Sequence, residues 1–203
     1  RGSAEGIPLH EWLPVIDKEQ KILTEEQAYV GALATYSELA LNGATLISDM
    51  CLHPQAAIRA AREIGVRLVI APYSASTKSF TPDLSVTEGL LASIPRDDEM
   101  VKAWVGLHDL ETCGDGQLIQ GAHLSAQYGT GLHLHCSESQ FFVDLTLKRT
   151  GKRPVAHLAS LGLLGEKTLL AHCVWVDEAD RALRAEYGAR VAHCPQSNLK
   201  LGS

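Results

Sequence analysis

Gly131 to Ser139 reads GLHLHCSES, a run of alternating apolar and imidazole side chains that ends in a carboxylate. In a strand, His133 and His135 project from one face and Leu132, Leu134 and Cys136 from the other. Glu138 follows His135 by three residues, far enough past the strand end to reach back toward whatever His135 binds. That pattern suits metal-assisted hydrolysis, in which a metal ion acidifies a water and a neighbouring carboxylate relays the proton. His135 is then the candidate metal ligand and Glu138 the candidate proton carrier. A histidine in a strand more often serves as a hydrogen-bonded core residue, so the rest of the chain has to support the assignment.

Outward from this stretch, strands and helices alternate. Strands are expected near ATLISDM (from 44), VRLVIAP (66), VKAWVGLH (101), the His-rich run (131), TLLAHCVWV (168) and ARVAHCP (189). Thr24 with Gln27 opens a capped helix that Asn42 and Gly43 end, and Pro54 starts another that Gly65 ends. Ser85 with Glu88 suggests a second capping box. Helices are expected from Gln117 to Tyr128, over SQFFVDLTLKRT and PVAHLASLGL, and over DEADRALRAEY. Before Thr24, Pro8 and Pro14 predict a loop and a short helix acting as a connector. Repeated βα units give a parallel sheet, doubly wound or a (β/α)₈ TIM barrel. Polar residues near the C-terminal ends of several strands (Asp49, His108, His135 with Glu138, His172, His193) favour the barrel, because a doubly wound sheet gathers its ligands at one switch point. The fold class expected is therefore α/β, a partial barrel with about six of eight strands, residues 1–203 forming one catalytic domain cut at both ends.

Composition narrows the partners. The 203 residues are 45% hydrophobic and carry a net charge of −6, which argues against a nucleic-acid groove or an anionic membrane as partner. Five cysteines, an odd number set singly along the chain, suggest reduced thiols and a cytoplasmic protein. No window approaches the roughly eighteen apolar residues of a membrane span. A small-molecule substrate is the partner expected, and a homo-oligomer is compatible with it.

Among the other histidines, His172 ends an apolar strand beside the His135 strand and reads as a group that orients and polarises the hydrolytic water. His108 lies past an apolar strand, placed to donate to a substrate ring nitrogen or carbonyl, with an exposed loop histidine as the equal alternative. Asp49 is expected to cap or pair, and His193, Ser197 and Asn198 to build a turn after Pro195. His157, His123, His10 and His53 receive no role. A serine nucleophile is not supported, for no Gly-x-Ser-x-Gly elbow is present. An imidazole-rich site with room for water points to one divalent metal, zinc before iron.

HLHCSES, LLAHCVWVDEAD and VAHCPQSNLKLGS, in that order, resemble the amidohydrolase superfamily. The branch is that of methylthioadenosine/S-adenosylhomocysteine deaminases, guanine deaminases and triazine hydrolases. EWLPVIDKEQKILTEEQAYVGALATYSELALNGATLISDM is similar to that branch's early segment, so the resemblance covers nearly the whole chain. It implies a metal-dependent barrel in which His135 ligates the metal, Glu138 shuttles protons, His172 polarises the water and His108 contacts substrate. The branch's first-strand His-x-His pair would precede Arg1 and its last-strand Asp would follow Ser203, so residues 1–203 alone are expected to bind metal weakly. Trp175 replaces the branch's usual aromatic or His after Cys-Val. The function implied is hydrolytic deamination of a purine-like, nucleoside or triazine heterocycle. Removal of a chloro or N-alkylamino substituent is the alternative within the class, and a non-catalytic barrel relic or assembly subunit the alternative outside it.

Overall fold

The computed structural model describes Ala4 and residues 6–77 and 83–203. β1 (Leu46–Cys51), β2 (Arg67–Pro72) and β3 (Val101–Ala103) form one parallel sheet in that order. β4 (Val105–Leu107), β5 (Leu132–Cys136), β6 (Thr168–His172) and β7 (Arg190–Ala192) form a second. The expected single strand VKAWVGLH is thus divided at Trp104, because the run changes partner there. The Trp104 N–H donates to the Ile70 carbonyl (2.8 Å), and the next N–H, of Val105, donates to Gly131 (2.9 Å) on the other side. One stretch of chain therefore joins both sheets, and the array keeps the six strand positions that the sequence predicts.

Two glycines allow this junction. A Cβ on Gly106 would stand 2.2 Å from the Pro72 carbonyl oxygen, and one on Gly131 would stand 2.5 Å from the Trp104 indole. The first clash is with backbone, which cannot rotate aside. Gly106→Ala is expected to destabilise the full-length protein by about 3 kcal/mol, read as a lower urea midpoint at unchanged slope. An unaltered midpoint would show that β2 and β4 separate freely.

The helices α2 (Glu25–Leu41), α3 (Pro54–Ile64), α4 (Ser85–Ser93), α5 (Asp115–Tyr128), α6 (Gln140–Thr150), α7 (Pro154–Ser160) and α8 (Glu178–Glu186) intervene between strands or flank them. The Thr24–Gln27 capping box forms, with the Gln27 N–H donating to Thr24 Oγ1 at 3.2 Å. The Ser85–Glu88 box does not. Asp83 instead accepts from the Ser85 N–H (2.7 Å) and hydroxyl (2.8 Å), and so takes the N–H that Glu88 would have received in the box. Residues 78–82, within the Ser/Thr/Pro-rich loop expected from Tyr73 to Leu84, lie outside the described residues.

Two larger corrections affect the site. α1 (Leu9–Ile22) is one helix of 14 residues with Pro14 inside it, where the prolines predict a loop and a short helix. Pro8 takes the N-cap position, and Pro14 removes a single intrahelical hydrogen bond, a cost that the packing of one apolar face offsets. After β7, Pro195 opens α9 (Pro195–Leu201) in place of the expected turn, a proline at the first helical position being pre-set for a helix.

Apolar side chains fill two adjoining cores. Tyr36, Ile47, Ala60, Leu68, Ile70 and Val101 pack under α2 and α3. Leu107, Leu118, Leu134, Leu158 and Leu170 pack under α5 and α7. Both cores back the sheets, and the C-terminal strand ends remain for polar groups.

Candidate active site

β5 carries the central residues. Its alternation places the His133 and His135 rings on one face, 6.3 Å apart and near parallel, while Leu134 is fully buried on the other. The next groups arrive from neighbouring strand ends. His108 follows β4, with its ring centroid 5.1 Å from that of His135, and His172 ends β6 at 5.3 Å. Glu138, past the end of β5, sets Oε1 3.4 Å from His172 Nε2. His108, His135, Glu138 and His172 line one cavity of about 210 Å³. The four residues singled out in the sequence are therefore brought together.

Hydrogen bonds define the rings. His135 Nδ1 lies 2.8 Å from the His108 carbonyl oxygen, which can only accept, so Nδ1 carries the proton and Nε2 keeps its lone pair. The Thr112 hydroxyl donates to Asp109 (2.7 Å), which leaves its oxygen to accept from His108 Nδ1–H (2.9 Å). With Nδ1–H donating, the tautomer puts the ring lone pair at Nε2, an acceptor where the sequence suggests a donor to substrate. His172 Nδ1 lies 3.0 Å from the Asn198 amide nitrogen. The backbone of His172 has φ +73° and that of Cys173 φ +50°, left-handed values that end β6 four residues before the expected strand TLLAHCVWV would end.

Burial sets the charges. It holds the His135 imidazole well below the ordinary histidine value, helped by His108 and His172, and also lowers His172. Burial pushes the Glu138 carboxyl up to about 7, with the Asp109 carboxylate adding to the effect. The site thus combines neutral imidazoles with a carboxyl able to give or take a proton near neutrality. His133, lowered to about 4 by burial and by His172, sits 3.4 Å from the Ser48 hydroxyl and reads as a buried neighbour of the site.

A neutral imidazole with a free lone pair is the form that binds a metal, and His135 offers it. The donor chemistry fits one ligand position of a metal centre. Among the described residues, no group of three or more His, Cys, Asp or Glu side chains is gathered for one ion.

The remaining candidates fall outside this cluster. Asp49 accepts from the Tyr36 hydroxyl at 2.5 Å, as a pairing role predicts, and lines a larger cavity of about 490 Å³ between α2 and β1. That cavity is bigger but lacks the paired acid and imidazoles, so chemistry is better sought in the smaller one. His157, read without a role, is buried and bonded to Asp115 at 2.9 Å. His10 lies in α1, not in a loop, stacked on Phe141.

α1 was not legible as part of the site. Leu9, Trp12, Leu13, Ile16, Asp17 and Gln20 form one wall of the cavity. Their spacing of three and four residues is the signal of a helix face, obscured by Pro14. Tyr73, after β2, adds an aromatic ring 4.9 Å from His108.

Comparisons with known proteins bear on the family and the fold. The chain is 35% identical over 210 residues to a 5-methylthioadenosine/S-adenosylhomocysteine deaminase of Syntrophobacter fumaroxidans, covering all of this chain and 48% of the relative. It is 35% identical over 214 residues to the second such deaminase of Archaeoglobus fulgidus, covering all of this chain and 50% of that one. A crystal structure of an adenosine deaminase from Xanthomonas campestris with bound zinc superposes with a TM-score of 0.91 at 27% identity, over all of this chain and 48% of that one. The chain spans about half the length of the curated relatives it matches, and its parallel sheets match amidohydrolase barrel proteins over about half of their length. The amidohydrolase family model matches residues 1–203, and the chain belongs to that family.

Proposed function

We propose that the full-length protein is a metal-dependent aminohydrolase that removes an exocyclic amino group from a purine-like, nucleoside or triazine heterocycle and releases ammonia. Residues 1–203 supply much of its single catalytic barrel domain. The observation that carries this reading is Glu138, a carboxyl held near pKa 7 beside His172 in the cavity that His135 and His108 line. The family is metal-dependent, and the deaminase names of the relatives in sequence support the leaving group.

His135 would hold one divalent ion, zinc before iron, whose Lewis acidity lowers the pKa of water at the site. Glu138 takes the two protons of the attacking water in turn, delivering the first to a ring nitrogen and the second to the departing amine. The oxygen–carbon bond forms as that ring nitrogen is protonated, and the carbon–nitrogen bond breaks as the amine leaves as ammonia. His172 orients the oxygen, and His108 holds the ring on the Tyr73 side. Trp12, Leu13 and Ile16 of α1 exclude water from the opposite wall. The net charge of −6 and the five free thiols support a small-molecule enzyme of the cytoplasm.

The same groups would serve a chloride or alkylamine leaving group, so the test compares products. The zinc-loaded full-length protein is assayed on adenosine, guanine, an aminotriazine and a chlorotriazine. Ammonia release from an amino heterocycle is expected. Chloride or alkylamine release alone would move the activity to triazine dehalogenation or dealkylation, and no turnover on any of them would favour a relic.

A further inference from the structure

Asn198 is a buried amide of α9 that the steps above leave unused. We propose that Asn198 is a positioning residue that fixes His172 as the Nε2–H tautomer, so that the ring offers a hydrogen-bond donor to the reacting oxygen. This rests on the role given to His172 in the proposed reaction.

The two ring nitrogens of His172 face partners of opposite sense. Nε2 faces Glu138 Oε1 at 3.4 Å, and in its ionised form that oxygen can only accept, which favours the proton on Nε2. A neutral ring then has its lone pair on Nδ1, where the Asn198 side-chain NH₂ donates at 3.0 Å. Turned the other way, the amide would demand a proton on Nδ1 and set the Nε2 lone pair against the carboxylate.

The backbone leaves this orientation to a side chain. Pairing of β6 with β7 ends at Ala171, and at His172 the chain turns into the left-handed region. Asn198 reaches it from α9, and its backbone N–H is already bound to the carbonyl of Cys194, the N-cap residue of that helix. The other amide atom, Oδ1, is buried with no hydrogen-bond partner among the described residues. A buried orphan of this kind is destabilising, so an apolar side chain would serve packing better. What the amide adds is the N–H aimed at His172.

The consequence is a division of labour between two stacked imidazoles. His135, whose Nδ1–H donates to the His108 carbonyl, turns a lone pair outward, whereas His172, accepting at Nδ1, turns out an N–H. One ring is set to ligate and the other to donate.

The test uses the full-length protein labelled with ¹⁵N-histidine at pH about 8.5, above the ordinary histidine range. The His172 ring signals are assigned by their loss in His172→Gln. The wild-type protein is expected to show a protonated Nε2 and an unprotonated Nδ1. Asn198→Asp, nearly isosteric but able only to accept when ionised, should reverse the two signals and lower kcat about 10- to 100-fold, with KM within about twofold. A wild-type ring protonated on Nδ1 overturns the proposal, as does Asn198→Asp with unchanged ring signals and turnover. Should Asn198→Asp not fold, the wild-type spectrum still decides. Wild-type turnover in His172→Gln would instead remove His172 from the reaction, a separate outcome from its tautomer.

Discussion

Glu138→Gln in the zinc-loaded full-length protein is expected to lower kcat by about 10²- to 10⁴-fold while metal content stays unchanged. The amide preserves the shape of the side chain but can neither take the water's proton nor deliver one to the ring nitrogen or the amine. The size of the loss follows from the environment, since burial and Asp109 hold the Glu138 carboxyl near 7, where both protonation states are available. Its partner geometry is retained, because the amide can still face His172 Nε2 across 3.4 Å. Metal analysis beside steady-state kinetics checks both halves of the expectation. Turnover near wild type would take the proton shuttle away from Glu138, and loss of metal would recast it as a ligand.

His135→Ala is expected to lower bound metal by an order of magnitude or more, whereas His133→Ala should retain it and lose stability on the order of 2 kcal/mol. Both rings project from one face of β5, but their surroundings differ. His135 has its Nδ1 tied to the His108 carbonyl and lies within the cavity that holds Glu138 and His172. His133 lies deeper, buried against Ser48, one strand repeat from the loop end. Metal stoichiometry and urea midpoints of the two variants separate the roles. The opposite pattern would shift the metal position by two residues along the strand.

Strand positions were legible because the strands read as apolar runs, and three of them, β4, β5 and β6, end at or just before a polar residue of the site. The capping box at Thr24 and the left-handed glycine after α3 fixed two helix boundaries. Local signals failed where a tertiary contact outweighed them. Pro14 argued for a break, yet the face formed by Leu9, Trp12, Leu13 and Ile16 packs against the cavity and keeps α1 helical. Trp104 gave no sign of its change of partner, because a single strand and two collinear short ones have the same alternation. Asn198 carries turn chemistry in sequence and gains another use only once α9 sets it 3.0 Å from His172. The grouping of His108, His135, Glu138 and His172 was accessible from the sequence because all four follow the same rule of position, at or just past the end of a strand.

The most direct measurement of the central claim is a product analysis of the zinc-loaded full-length protein turning over an amino heterocycle in ¹⁸O-water. The account predicts one ammonia released for each carbonyl product formed, with one ¹⁸O atom in that product, and near-complete loss of both signals in Glu138→Gln. Deaminated product without ¹⁸O, or equal release by Glu138→Gln, would contradict it.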